Sequence, residues 1–183
     1  MNGYYHSGYF NRDATMKQDT VNPGEKKIII KSFAYDDPIS YIEHIDTPSH
    51  QVKFTEKLSV SHINSEIVQR LGKMVHDKGL RFIVFSGAWC RDCQEILPIL
   101  AKINQVTRIS MKIIGGAKLN LAKQPKWASP SPPEMNELNI EKIPAILIIN
   151  QGNHEVARFY ERPPPGKSLE RVLLDLVSKI VSG

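Results

Sequence analysis

Between Ser61 and Gly79, the apolar residues Ile63, Ile67, Val68, Leu71, Met74 and Val75 recur at helical spacing, and a glycine follows the run. That pattern predicts an amphipathic helix with Gly79 just past its end. Arg81-Phe82-Ile83-Val84-Phe85 has no polar alternation, so it reads as a short strand covered on both faces. From Cys90 to about Asn104, Ile96, Leu97, Leu100 and Ile103 again share one helical face, with Pro98 inside the helix as an expected kink. Arg108 to Ile114 predicts a second strand, stopped by Gly115-Gly116, which reads as a turn. The four prolines between Ala117 and Pro133 mark a long loop. At its end, Ser131-Pro132-Pro133-Glu134 has capping-box spacing and predicts the start of a short helix. Ala145–Ile149 and Glu155–Tyr160 flank Asn150-Gln151-Gly152-Asn153-His154 and predict an antiparallel hairpin. After Pro163-Pro164-Pro165-Gly166, Ser168 is placed to cap a last helix with a core stripe from Leu169 to Ile180. On that helix Glu170, Arg171, Asp175 and Lys179 read as a solvated face.

The first 60 residues are less patterned. Residues 1 to about 25 are polar and aperiodic, close on Asn22-Pro23-Gly24, and predict a mobile tail. Lys27 to Lys31 is a β-branched run that predicts a strand. Ala34 to about Lys57 contains Pro38 and Pro48 as breakers and reads as irregular. The expected organisation is an N-terminal extension over residues 1–55, partly disordered, and one domain over residues 56–183. A helix joins the first two strands and makes them a parallel pair, so helices on both faces of a small mixed sheet satisfy burial.

Composition removes several function classes. The chain has 183 residues, 41% of them hydrophobic, enough for one domain with a core plus an appendage. Its formal charge is +5, but the Lys and Arg residues are scattered, so no nucleic-acid partner is expected. Apolar runs such as Ile143–Ile149 fall far short of the ~20 residues of a membrane span, and no leader-like apolar segment opens the chain. The expected setting is cytoplasmic. Gly166-Lys167-Ser168 lacks the first glycine of a phosphate loop, since Glu161 stands there, and no Gly-x-Gly-x-x-Gly suggests a flavin or nicotinamide. No cofactor is expected.

The chemistry is concentrated in Trp89-Cys90-Arg91-Asp92-Cys93, between a buried strand and a helix. Two cysteines placed at random in a chain this long would fall three apart roughly once in a hundred cases. A helix N-terminus favours negative charge, so a thiolate at Cys90 is favoured there, and Cys93 one turn on can attack a mixed disulfide at Cys90. Arg91 should favour that thiolate and Asp92 should oppose it, leaving a depressed Cys90 pKa. Zinc would need two further ligands, and none of the six histidines forms a second paired motif, so no metal is expected. Trp89 is expected at the rim of the dithiol. Trp127, between Pro125 and Pro130, either covers the core or contacts a partner.

From Ser61 to Val181 the chain resembles the thioredoxin superfamily, as a thioredoxin-like protein with a Trp-Cys-x-Asp-Cys motif. The resemblance rests on that motif, on Pro98 five residues after the second cysteine, and on Ile143-Pro144 opening the hairpin. It implies an α/β fold with a central mixed sheet of four or five strands flanked by helices. It implies Cys90 as nucleophile and Cys93 as resolving thiol. It also implies a cis Pro144 facing the dithiol, with Ile143 offering backbone hydrogen bonds, so that Trp89, Ile143 and Pro144 bind substrate. The implied activity is thiol–disulfide exchange on a protein or small-molecule disulfide, recycled by an external reductase or dithiol. The alternative is a binding or adaptor module with little turnover, and a peroxidase is a third option. The chain departs from the family pattern at three places. Arg91-Asp92 replaces Gly-Pro, Val84 stands where a buried Asp is usual, and no glycine matches the family's near Glu161-Arg162-Pro163. Asp92 is accordingly expected to take over part of the missing carboxylate's role as proton acceptor for Cys93.

Overall fold

A computed structural model describes residues 27–182 of the chain. The tail expected over residues 1 to 25 lies outside the described residues.

Four strands form one mixed sheet in the order β2-β1-β3-β4. β1 (Arg81–Phe85) pairs in parallel with β2 (Met111–Ile114) and antiparallel with β3 (Ala145–Ile149). β4 (Glu155–Tyr160) closes the predicted hairpin antiparallel to β3, with a register irregularity at Ile148/Ile149. Every residue of β3 and all of β1 after Arg81 is buried, as their unbroken apolar runs require, so helices cover both faces.

Helices α3 (Ser65–Asp77), α4 (Arg91–Thr107) and α6 (Leu169–Ser182) occupy the predicted places. The Asn64 side chain caps α3 by accepting from the Ile67 N–H, and Gly79 follows its end at φ 59°. Cys90 is the N-cap of α4, which retains Pro98 and runs three residues beyond the predicted end to a left-handed Arg108. That takes the first residues from β2, which starts at Met111 rather than Arg108.

The segment from Ala34 to Lys57 is not irregular. It contains α1 (Pro38–Glu43) and most of α2 (Pro48–Val60), and both prolines stand in the first turn. The lost N–H costs nothing there, so proline starts these helices instead of breaking them. Asp37 caps α1 through the Ser40 N–H. Tyr41, Ile42, Ile45 and Phe54 of this segment belong to the core, and the boundary expected after residue 55 falls inside α2. α2 packs along α4, and α1 packs on α4 and β2.

Lys27 to Lys31 is not a strand. It makes a single bridge, Lys27 to His154, and the Lys31 and Ser32 N–H groups donate to the Glu134 carboxylate instead of to a ladder. Further on, Tyr35 exchanges two backbone hydrogen bonds of 2.9 Å with Ile113 and covers part of the β2 edge. The short helix after the proline loop, α5 (Glu134–Glu137), starts from Pro133, and no side chain caps it. The Ser131 hydroxyl is instead engaged with the Lys118 backbone, so the expected capping box does not form. Trp127 is buried and donates to the Ile140 carbonyl at 2.5 Å, which makes it a core residue under the loop. Glu170 is also buried, not solvated, and accepts from the Asn64 N–H at 3.1 Å, tying α6 to the start of α3.

Candidate active site

The end of β1 and the start of α4 build the site. β1 delivers Ser86 and Gly87 at its carboxyl end, and the chain turns through Ala88 and Trp89 into Cys90, whose N–H donates to the Gly87 carbonyl at 3.0 Å. Trp89 is 43% exposed, and its indole N–H donates to the Ala117 carbonyl at 2.6 Å. A side chain at position 87 would meet that indole nitrogen at 2.9 Å, so glycine leaves the ring its place. Trp89 lines two open grooves of about 550 and 530 Å³.

The two cysteines are free thiols in unlike surroundings: Cys90 is half-buried, whereas Cys93 is wholly enclosed. The Cys90 thiol is lowered from an ordinary 9.0 to about 7. The first cause is the hydrogen bond from the Cys93 thiol to the Cys90 sulfur, aided by the backbone N–H groups of Cys93 and Asp92; burial and the Asp92 charge oppose it. Cys93 moves the other way. Burial, then the hydrogen bond and charge of Cys90, hold its thiol well above the ordinary range, while the Ser86 hydroxyl and the Gly87 N–H pull against that rise. One sulfur is thus available as a thiolate near neutrality and the other is a proton-bearing neighbour.

Across from Cys90, the Ile143–Pro144 peptide is cis, and the Cys90 thiol donates to the Ile143 carbonyl at 3.6 Å. Trp89, Cys90, Cys93, Ile143 and Pro144 therefore converge. The expected tuning pair divides. The Asp92 charge opposes the thiolate, and the leading groups that lower it are Cys93 and two backbone N–H groups; Arg91 is exposed and lines a groove with Lys53 and Lys57. The Asp92 carboxylate is paired with Arg162 at 2.8 Å. Sequence reasoning missed Arg162, Ser86 and Tyr41. Ser86 carried one usable sign, a polar residue closing an apolar strand that leads to the motif; Tyr41 carried none.

A family model described as thioredoxin matches residues 39–173. The chain belongs to the thioredoxin family. The match begins within α1, so the thioredoxin unit reaches back past the boundary read from residues 56 onward. A protein of unknown function from Pseudomonas aeruginosa is similar in structure, with 20% identity and a TM-score of 0.51 over 80% of this chain and 90% of that one. An HIV epitope-scaffold is similar with 21% identity and a TM-score of 0.52, again over 80% and 90% of the two chains. Likeness at that identity speaks for the thioredoxin fold alone. No curated protein matches the chain. Among the described residues, no helix is long and apolar enough to cross a membrane, and no group of three or more His, Cys, Asp or Glu is placed to hold a metal ion.

Proposed function

We propose that this thioredoxin-family chain is a thiol–disulfide oxidoreductase that reduces protein or small-molecule disulfides. The observation that carries the reading is the asymmetry of the pair, with a half-buried Cys90 lowered to about 7 and an enclosed Cys93 held high. Cys90 thiolate attacks one sulfur of the substrate disulfide, and the other sulfur leaves as a thiolate that takes up a proton. Cys93 then attacks the Cys90 sulfur. The Cys90–Cys93 bond forms, the bond to substrate breaks, and the second substrate sulfur leaves reduced. Two electrons pass from the dithiol to the substrate, and an external reductase or dithiol returns them. Trp89 and the Ile143–Pro144 edge flank the attacked sulfur and form the substrate-binding rim. A reducing cytoplasmic setting favours this direction.

The adaptor reading draws on Val84, a fully buried apolar residue where family members usually keep a carboxylate. Insulin reduction with dithiothreitol separates the two. Turnover that disappears in Cys90→Ser, together with a mixed disulfide trapped by Cys93→Ser, supports the enzyme. No turnover by the unaltered protein with either an enzymatic or a chemical donor overturns it.

A further inference from the structure

Resolution of the mixed disulfide requires Cys93 to lose a proton inside the core. Four polar or charged residues among the described residues are buried: Ser86, Glu134, Glu155 and Glu170. The three glutamates are engaged elsewhere, Glu134 with Ser32, Glu155 with Arg158 and Glu170 with Asn64. Ser86 adjoins the dithiol. Its hydroxyl is one of the groups that pull the Cys93 thiol down, and it donates to the Tyr41 hydroxyl at 3.2 Å. Its backbone groups are already used, the N–H on Ile114 and the carbonyl on Ala117, so the side chain is held where it stands. Tyr41 comes from α1 and is itself almost fully enclosed, with its ring edge-on to Tyr35 and Phe54. Gly115 gives that ring its place: a Cβ there would stand 2.7 Å from Tyr41 Cε2.

We infer that Ser86 and Tyr41 form a buried pair of hydroxyls that stabilises the Cys93 thiolate in the resolving step, with Ser86 touching the reacting sulfur and Tyr41 positioning Ser86. The inference rests on the oxidoreductase reading above. At rest the Ser86 hydroxyl donates to Tyr41; as Cys93 ionises, Ser86 turns to donate to the sulfur and Tyr41 turns to donate to Ser86, so that negative charge on Cys93 is shared along the line. Burial holds the Tyr41 phenol well above its ordinary range, so it stays protonated throughout and does not act as a base. The proton that Cys93 gives up ends on the departing substrate thiolate or in solvent, and the Cys90–Cys93 bond forms as the Cys90–substrate bond breaks.

The aromatic disulfide DTNB reads the two steps separately. Attack by Cys90 releases one coloured thiolate at a rate proportional to reagent, and attack by Cys93 releases the second at a rate independent of it. Ser86→Ala should slow the second phase about tenfold near neutrality, as loss of one hydrogen bond to a charged group predicts, and Tyr41→Phe, which loses a bond between neutral hydroxyls, about threefold to fivefold. The first phase should change less than twofold. The loss should be constant below the Cys93 pKa and vanish at high pH, because the variants raise that pKa without altering the plateau. A merely structural disturbance would lower the plateau, and Ser86→Thr, which restores a hydroxyl, should recover the rate. The ionisable groups acting on the pair are Cys90, Cys93 and Tyr35, with His44 against the Tyr35 ring. None of them is changed by these variants. A second phase with unaltered rate and pH profile in both folded variants overturns the hydroxyl pair alone. Absence of any biphasic release by the unaltered protein overturns the oxidoreductase reading itself.

Discussion

Cys90 shows how little of a site's chemistry lies in the residue's own type. Its thiol is lowered to about 7 first by the hydrogen bond from Cys93 and then by two backbone N–H groups. Alkylation by iodoacetamide should therefore rise with pH, reach half its plateau near pH 7 and level off above. Cys93→Ala removes the first donor and should move that midpoint up toward the ordinary 9.0. Asp92→Asn removes an opposing charge and should move it down. The linkage runs in the same sense. A folded-state pKa below the unfolded one adds stability above the ordinary thiol range, and that stability is lost as pH falls through about 7. The nearness of the two cysteines, Trp89, Ile143 and Pro144 was legible from spacing and resemblance. The role expected of Arg91 came from adjacency in sequence alone, and its side chain is exposed. Ser86 and Tyr41 stand 45 residues apart, and no local pattern links a strand end to a distant tyrosine.

At the scale of elements, apolar periodicity recovered every strand and helices α3, α4 and α6, and it failed where the stabilising partner is remote. α2 buries only Phe54, so its apolar stripe is too thin to see, and its first-turn proline reads as a breaker until the turn before it is known. The Lys27–Lys31 run looked like a strand because β-branched residues favour one, yet its following N–H groups are claimed by Glu134. That carboxylate also accepts from the Ser32 hydroxyl at 2.5 Å. Burial alone would raise its pKa, but the Ser32 and Lys31 donors more than offset this and hold it below the usual carboxylate value. It therefore contributes stability above the unfolded carboxylate pKa, and that contribution is lost as pH falls through the depressed one. Glu134→Gln should cost about 1 to 3 kcal/mol at neutral pH and flatten the acid limb of a Tm-against-pH curve. Gly115→Ala tests the joint between α1 and β2. Its methyl would stand 2.7 Å from the Tyr41 ring, and forcing that ring aside should cost about 1 to 3 kcal/mol in urea unfolding. The Gly115-Gly116 pair, read as a turn, is thus also a clearance for a neighbouring helix.

For the molecule as a whole, the question is where the folding unit begins. Composition and motif placed it near residue 56, because the recognisable thioredoxin features all lie beyond Ser61. The core does not respect that division. Tyr41, Ile42, Ile45 and Phe54 are buried together with residues of β1, β2 and α4, and Tyr41 meets Phe54 edge-on with ring centres 6.0 Å apart. Removing one of these side chains and removing all of them should have different outcomes. Phe54→Ala should cost about 3 to 5 kcal/mol, which a domain with a total stability of about 5 to 15 kcal/mol survives with a lowered Tm and a single cooperative transition. A chain begun at Glu56 loses five core side chains (Ile28, Tyr41, Ile42, Ile45 and Phe54), most of α2 and the covering of the β2 edge by Tyr35 at once. Large-to-small costs of about 2 to 5 kcal/mol each then exceed the whole stability. Calorimetry of the shortened chain should show no cooperative unfolding, and an intact transition would mean that the thioredoxin core stands without its first two helices. The same deletion strips Tyr41 from Ser86, so the segment that completes the core also supplies the far end of the hydroxyl line to Cys93.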